Sequence, residues 1–134
     1  DILVGGAGDD LLMGGAGADT FEWNSGDQGT VSMPASDHVQ DFTVADNDKL
    51  DLSGLLDALG MTDPGLVESY LSLTENASNQ AVLNVKDSDG GSVVQEIVLD
   101  NVSIQDLKAD LSLDSGASNS DLLNQLIDQS KLIV

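Results

Sequence analysis

Aspartate returns every ninth residue at the start of the chain, at Asp1, Asp10 and Asp19. The last two copies each close a glycine-rich run, Gly5-Gly6-Ala7-Gly8-Asp9-Asp10 and Gly14-Gly15-Ala16-Gly17-Ala18-Asp19. Glycine accepts positive φ, so such a run can curl tightly and turn several carbonyl oxygens toward one point. The aspartate that ends it adds a charged oxygen. Oxygen-only donor sets select hard cations, and an irregular cage of about six to eight oxygens suits Ca²⁺ better than Mg²⁺, which demands a near-ideal octahedron. The chemistry implied by this spacing is ion binding.

The elements that must hold such turns are short. Three residues of strand follow each turn, with an apolar residue in the middle at Leu3, Leu12 and Phe21, and two turns with two strands make one circuit of a parallel β-helix. An enclosed core of ordinary size is not expected, because the only aromatic residues are Phe21, Trp23, Phe42 and Tyr70. The ion takes the place of the missing core. The pattern resembles the RTX nonapeptide, glycine-glycine-x-glycine-x-aspartate-x-apolar-x, and that resemblance implies a calcium-loaded parallel β-roll. It further implies that each ion sits between turns stacked on one edge, two repeats apart. Asp1 would then share an ion with the turn ending at Asp19. Asp10 would face a degenerate turn around Gly26 and Asp27, since Gly26 falls nine residues after Gly17. The carbonyls of Gly5, Gly6, Ala7 and Gly8, and of Gly14, Gly15, Ala16 and Gly17, would supply the other oxygens.

Other glycine motifs fail. A phosphate-binding P-loop needs a lysine after its last glycine, and a dinucleotide fingerprint needs a third glycine where Leu11 and Thr20 stand. A flexible linker has no need of periodic leucine and aspartate.

Residues 24–36 read as a polar loop that interrupts the repeats. Residues 37–56, "DHVQDFTVADNDKLDLSGLL", also resemble the RTX family and are expected to cap the roll, with Val39, Phe42, Leu50 and Leu52 inward. Asp37 and Asp41 are candidates to complete the last calcium sites; Asp46 and Asp48 suit turns. His38, the one histidine, has no metal-type spacing around it and reads as an exposed strand residue. Ser53 is placed to cap a helix over Leu55, Leu56 and Leu59 that stops at Gly60, and Pro64 starts a second helical turn through Tyr70. Alternation predicts strands at 71–74, 81–86 and 93–99. "KDSDGGS" at 86–92 lacks the EF-hand glycine and glutamate and reads as a hairpin turn. Asn119 or Ser120 would cap a helix with Leu122, Leu123, Leu126 and Ile127 on one face, before the apolar end Leu132-Ile133-Val134.

Twenty-four acidic residues against four Lys and Arg give a formal charge of −20, which excludes nucleic acid and anionic membrane surfaces as partners. There is no cysteine, so neither disulfides nor thiolate chemistry contribute. No apolar run approaches the roughly 18 residues that span a bilayer, and no N-terminal export signal is visible. The chain opens within a repeat, as a piece of a longer protein would. It carries no H-E-x-x-H, no G-x-S-x-G and no cysteine nucleophile, so no catalysis is expected of it.

The expected fold is therefore mainly β: a parallel β-roll stacked onto a β-rich C-terminal region with a few short α-helices. The expected divisions are 1–36 for repeats and loop, 37–56 for the cap, and 57–134 for the C-terminal region. This order resembles the end of large secreted RTX adhesins. The resemblance implies an uncleaved type I secretion signal, read by an ABC transporter, a membrane-fusion protein and an outer-membrane channel. It also implies an extracellular or cell-surface destination and a monomeric fragment. The alternative is the calcium-binding tail of a secreted metalloprotease or lipase with its catalytic domain upstream.

Overall fold

The computed structural model describes residues 1–134. Its first five strands are β1 (Ile2–Val4), β2 (Leu11–Leu12), β3 (Thr20–Glu22), β4 (Ala35–Val39) and β5 (Lys49–Asp51). They go alternately to two sheets: β1, β3 and β5 pair side by side in one, β2 and β4 in the other, and every pairing is parallel. A turn thus carries the chain from one sheet to the other, and each strand lies against the strand two before it.

Register follows from the apolar middle residue. Leu3, Phe21 and Leu50 are direct partners across the first sheet, and Leu132 extends the row from a final strand, β9 (Leu132–Ile133), that returns parallel to β5. Phe21, Leu50 and Leu132 are buried, each burial stabilising by about 1.5–3 kcal/mol. A shift by one residue would send the whole row to solvent.

The second sheet continues beyond the repeats. β6 (Leu71–Glu75), β7 (Ala81–Lys86) and β8 (Val93–Leu99) form an antiparallel meander, and β8 also lies parallel to β4. Helix α1 (Ser53–Leu59) ends at Gly60 in the left-handed conformation, as expected; Leu52 rather than Ser53 takes the N-cap, and the Ser53 hydroxyl donates to Asp51 instead. A 3₁₀ turn at Pro64–Leu66, capped by Asp63, runs into α2 (Val67–Tyr70). Helix α3 (Ile104–Asp110) was not foreseen, although Ser103 and Asp106 carry its signal, a capping box with both reciprocal bonds formed. Helix α4 (Asn119–Asp128) has the same device at Ser118 and Asp121, one residue before the expected cap.

One cluster of 26 buried residues extends from Leu12 to Leu132, and only Leu12, Phe21 and Trp23 of it precede residue 35. Hydrophobic burial therefore accounts for the later part of the chain and leaves the first coil thinly supported. Lys131, buried next to β9, donates its ammonium to Asn47 Oδ1 at 2.7 Å and pins the chain end to the turn before β5. No helix is long and apolar enough to cross a membrane.

Candidate metal centre

The two glycine turns have the same backbone. Gly6 and Gly8 stand at φ 88° and 118°, Gly15 and Gly17 at 93° and 99°, a region that L side chains rarely occupy. The first glycine of each turn serves a different need. A Cβ on Gly5 would lie 3.1 Å from Asp10 Oδ2, and one on Gly14 would lie 2.5 Å from Asp19 Oδ2. Each repeat aspartate thus folds back beneath the opening of its own turn.

The strand register places the aspartates in two columns. Asp19 lies beside Asp1 and Asp48 in the first sheet, one residue before the paired Thr20, Ile2 and Lys49. Asp10 lies beside Asp37 in the second, one residue before Leu11 and His38. Within each column one bond repeats. The nitrogen of the earlier aspartate donates to Oδ1 of the next: Asp1 to Asp19 at 2.6 Å, Asp10 to Asp37 at 2.8 Å and Asp19 to Asp48 at 3.0 Å.

The second oxygens separate the residues into two kinds. Asp37 Oδ2 accepts from the Trp23 indole at 2.6 Å and from Gln95 Nε2 at 2.9 Å. Asp48 Oδ2 accepts from the Thr43 nitrogen at 2.8 Å. Asp10 Oδ2 and Asp19 Oδ2 are buried without any partner. An uncompensated carboxylate oxygen is expensive inside a protein, so the two orphans mark the place where a cation fits. No three acidic or histidine side chains converge. The backbone carbonyls of the glycine turns are the oxygen donors that the chain itself offers beside each aspartate.

Several expected residues take other positions. Asp10 faces Asp37 rather than Gly26 and Asp27. Residues 24–34 lie outside the repeat, and Asp27 closes a local turn by accepting from the Asn24 nitrogen, while Gly26 donates to Gln28. Asp41 accepts from the nitrogens of Gly14 and Gly15 and so clamps the mouth of the second turn. Asp37 is wholly buried and engaged by three N–H donors. Burial pushes its carboxyl above the ordinary aspartate value, the bonds from Trp23, Asp10 and Gln95 pull it partly back, and the Asp10 charge adds to the upward push. Asp48 is a buried member of a column and more than a turn residue. His38 lies on β4 and contacts Asp100 through Nδ1 at 2.8 Å.

A signal for Asp48 was present. Asp-x-apolar occurs at 1–3, 10–12, 19–21, 37–39 and 48–50, so the columns follow once the strand triplet rather than the glycine run sets the alignment. Trp23 and Gln95 had no such signal, because their meeting at Asp37 depends on packing between distant strands.

The sequence matches the family described as peptidase M10 serralysin C terminal over residues 2–112. The chain belongs to that family. Residues 113–134, with α4 and β9, lie beyond the matched stretch. The chain is also similar to the solution structure of the AlgE6R2 subunit from the Azotobacter vinelandii mannuronan C5-epimerase, at 32% identity over 82% of this chain and 68% of that one, with a TM-score of 0.54. No curated protein sequence matches it. Membership of the serralysin C-terminal family agrees with an RTX-like module rich in β-structure.

Proposed function

We propose that this serralysin-type C-terminal domain is a calcium-dependent folding and capping module, built as a parallel β-roll and carrying the type I secretion signal of a large secreted protein. The observation that carries the reading is the pair of buried, unpartnered oxygens, Asp10 Oδ2 and Asp19 Oδ2, each beneath the first glycine of its own turn. The alternation of strands between two parallel-paired sheets supports the roll.

The residues that would hold Ca²⁺ are Asp10 with the carbonyls of Gly5, Gly6, Ala7 and Gly8, and Asp19 with those of Gly14, Gly15, Ala16 and Gly17. Asp1 stands next in the Asp19 column. The chemistry the ion supplies is charge neutralisation and a cross-link between backbone segments. Asp37 and Asp41 hold the turns in place by accepting their N–H groups. Where free calcium is scarce, clustered carboxylates at a net charge of −20 repel one another, and the first coil lacks the burial to resist. Sites of about 10⁻⁴–10⁻³ M affinity would be empty in a cytosol and filled outside a cell. At tenfold excess over Kd each independent site adds about 1.4 kcal/mol to the folded state. Folding outside would oppose backsliding through a type I exporter composed of an ABC transporter, a membrane-fusion protein and an outer-membrane channel. Catalysis, on this reading, belongs to other parts of the parent protein.

Two parents fit. A surface adhesin suits the long strand-rich segment after residue 56; a secreted hydrolase is favoured by the serralysin family match. Circular dichroism with calcium and with excess chelator tests the folding step, and equal ordered structure in both would overturn it. A reporter fused ahead of residues 1–134 tests export, and retention in cells that carry a matching transporter would remove the secretion role.

A further inference from the structure

The first glycine turn and the C-terminal meander meet at one buried carboxylate. Asp37 is 0% exposed, as are Trp23 and Gln95. Its Oδ1 takes the Asp10 nitrogen, and its Oδ2 takes Trp23, just after β3 in one sheet, and Gln95, on β8 in the other. The Oδ2 of Asp10 is itself buried without a partner.

We propose that Asp37 is a positioning residue that ties ion retention at the Asp10 turn to the hydrophobic core, through Trp23 on one side and Gln95 on the other. The inference rests on the calcium reading above. Two effects couple the sites. The bond to the Asp10 nitrogen fixes the backbone at the residue that would hold the ion, so its carboxylate starts from one place beneath Gly5. The Asp10 and Asp37 carboxylates also repel each other across this bond, and a cation on Asp10 relieves that repulsion. By reciprocity, whatever holds Asp37 in place holds the ion. The β8 contribution means that the site reads whether the meander has folded, and nothing in the glycine repeat itself supplies that information.

Asp37→Asn breaks the arrangement at constant size. If the amide oxygen keeps the Asp10 nitrogen, the amide nitrogen faces the Trp23 donor, and Gln95 must turn its unpartnered Oε1 toward it at the expense of its bond to the Glu96 carbonyl. Gln95→Leu is the milder variant, and it removes one donor while keeping Trp23 as an optical reporter. Calcium-loaded protein is mixed with excess chelator, and the release rate from the folded state is followed by Trp23 emission. A loss of stability alone does not set this rate, and Leu126→Ala, in the core on α4, is the control for destabilisation. Release is expected to be about tenfold faster in Asp37→Asn and severalfold faster in Gln95→Leu, with Leu126→Ala at the wild-type rate. Wild-type release rates in both variants, with lowered melting temperatures, would overturn the coupling and leave Asp37 a purely structural group. If Asp37→Asn does not fold, Gln95→Leu decides alone. A wild-type chain that takes up no calcium would instead remove the reading on which the inference rests.

Discussion

Asp10 and Asp37 occupy the same place in neighbouring coils of one sheet, as Asp19 and Asp48 do in the other. Each later aspartate has both oxygens engaged by protein donors, and each earlier one has a buried oxygen with none. The same residue at the same register thus meets two environments. A glycine turn has no side chains to offer, and in the second turn two nitrogens already donate to Asp41. The later coils bring Trp23, Thr43 and Gln95 to the matching oxygens. Where side chains are available the fold satisfies a buried carboxylate with N–H groups; where they are absent it leaves room for an ion.

The sharpest way to break this contrast is to remove calcium and follow amide exchange residue by residue. Protection in β1, β2 and β3 is expected to collapse in excess chelator, while β6, β7 and β8, which supply seven residues of the buried cluster against two from β1, β2 and β3, retain more of theirs. Uniform loss across all strands would erase the distinction between the two regions.

Substitution within one column comes next in size. Asp48→Ala leaves the nitrogens of Asp19 and Thr43 without partners and should cost about 2–5 kcal/mol even without calcium, with a smaller further loss when calcium is present because Asp48 holds the Asp19 nitrogen as Asp37 holds that of Asp10. Asp19→Ala should abolish the calcium-dependent part of the stability. Denaturant titrations at two calcium concentrations measure both, and a calcium-dependent penalty of equal size in the two variants would show that the column positions are equivalent.

A smaller effect separates the two turns. Gly14→Ala places a methyl 2.5 Å from Asp19 Oδ2, whereas Gly5→Ala meets Asp10 at 3.1 Å. Gly14→Ala should therefore weaken calcium binding more, about tenfold by calorimetry, and a larger effect at Gly5 would contradict the close approach at Asp19.

The smallest effects belong to the helix caps of the C-terminal region. Ser118→Ala should cost about 0.5–2 kcal/mol, with no change in calcium affinity. Asp106 and Asp121 have carboxyls held below the ordinary value, first by the backbone bond of Ser103 or Ser118 and then by its hydroxyl. A lowered native value means that their stabilisation is complete above the unfolded aspartate value and is lost as pH falls through the native one. Replacing both with Asn should flatten the acid limb of stability against pH. An unchanged acid limb would assign acid sensitivity to the columns instead.

The local pieces of this molecule were legible in the residues. Glycine spacing announced the turns, Asp-x-apolar triplets the strand ends, alternation the meander, and Gly60 the end of α1, because each depends on backbone sterics or on side-chain periodicity within a few positions. Helix α3 carries its capping box at Ser103 and Asp106 in plain view, but its buried apolar face is only Ile104 and Leu107, too short a stripe to announce a helix. The identity of Asp10's neighbour was a different matter. Residues 24–34 lie outside the nine-residue rhythm, so counting forward from Gly17 led to Gly26 and Asp27, and only the pairing of β2 with β4 substituted Asp37. Likewise nothing near Leu132 in sequence says that it continues the row of Leu3, Phe21 and Leu50. The sequence by itself determined which residues can turn, cap and hold an ion, since those are properties of single side chains and short backbone runs. Which aspartate oxygens are left without a donor was decided by the tertiary structure, because Gln95 reaches Asp37 only after β8 has paired with β4, and Trp23 only after the other sheet has packed against them.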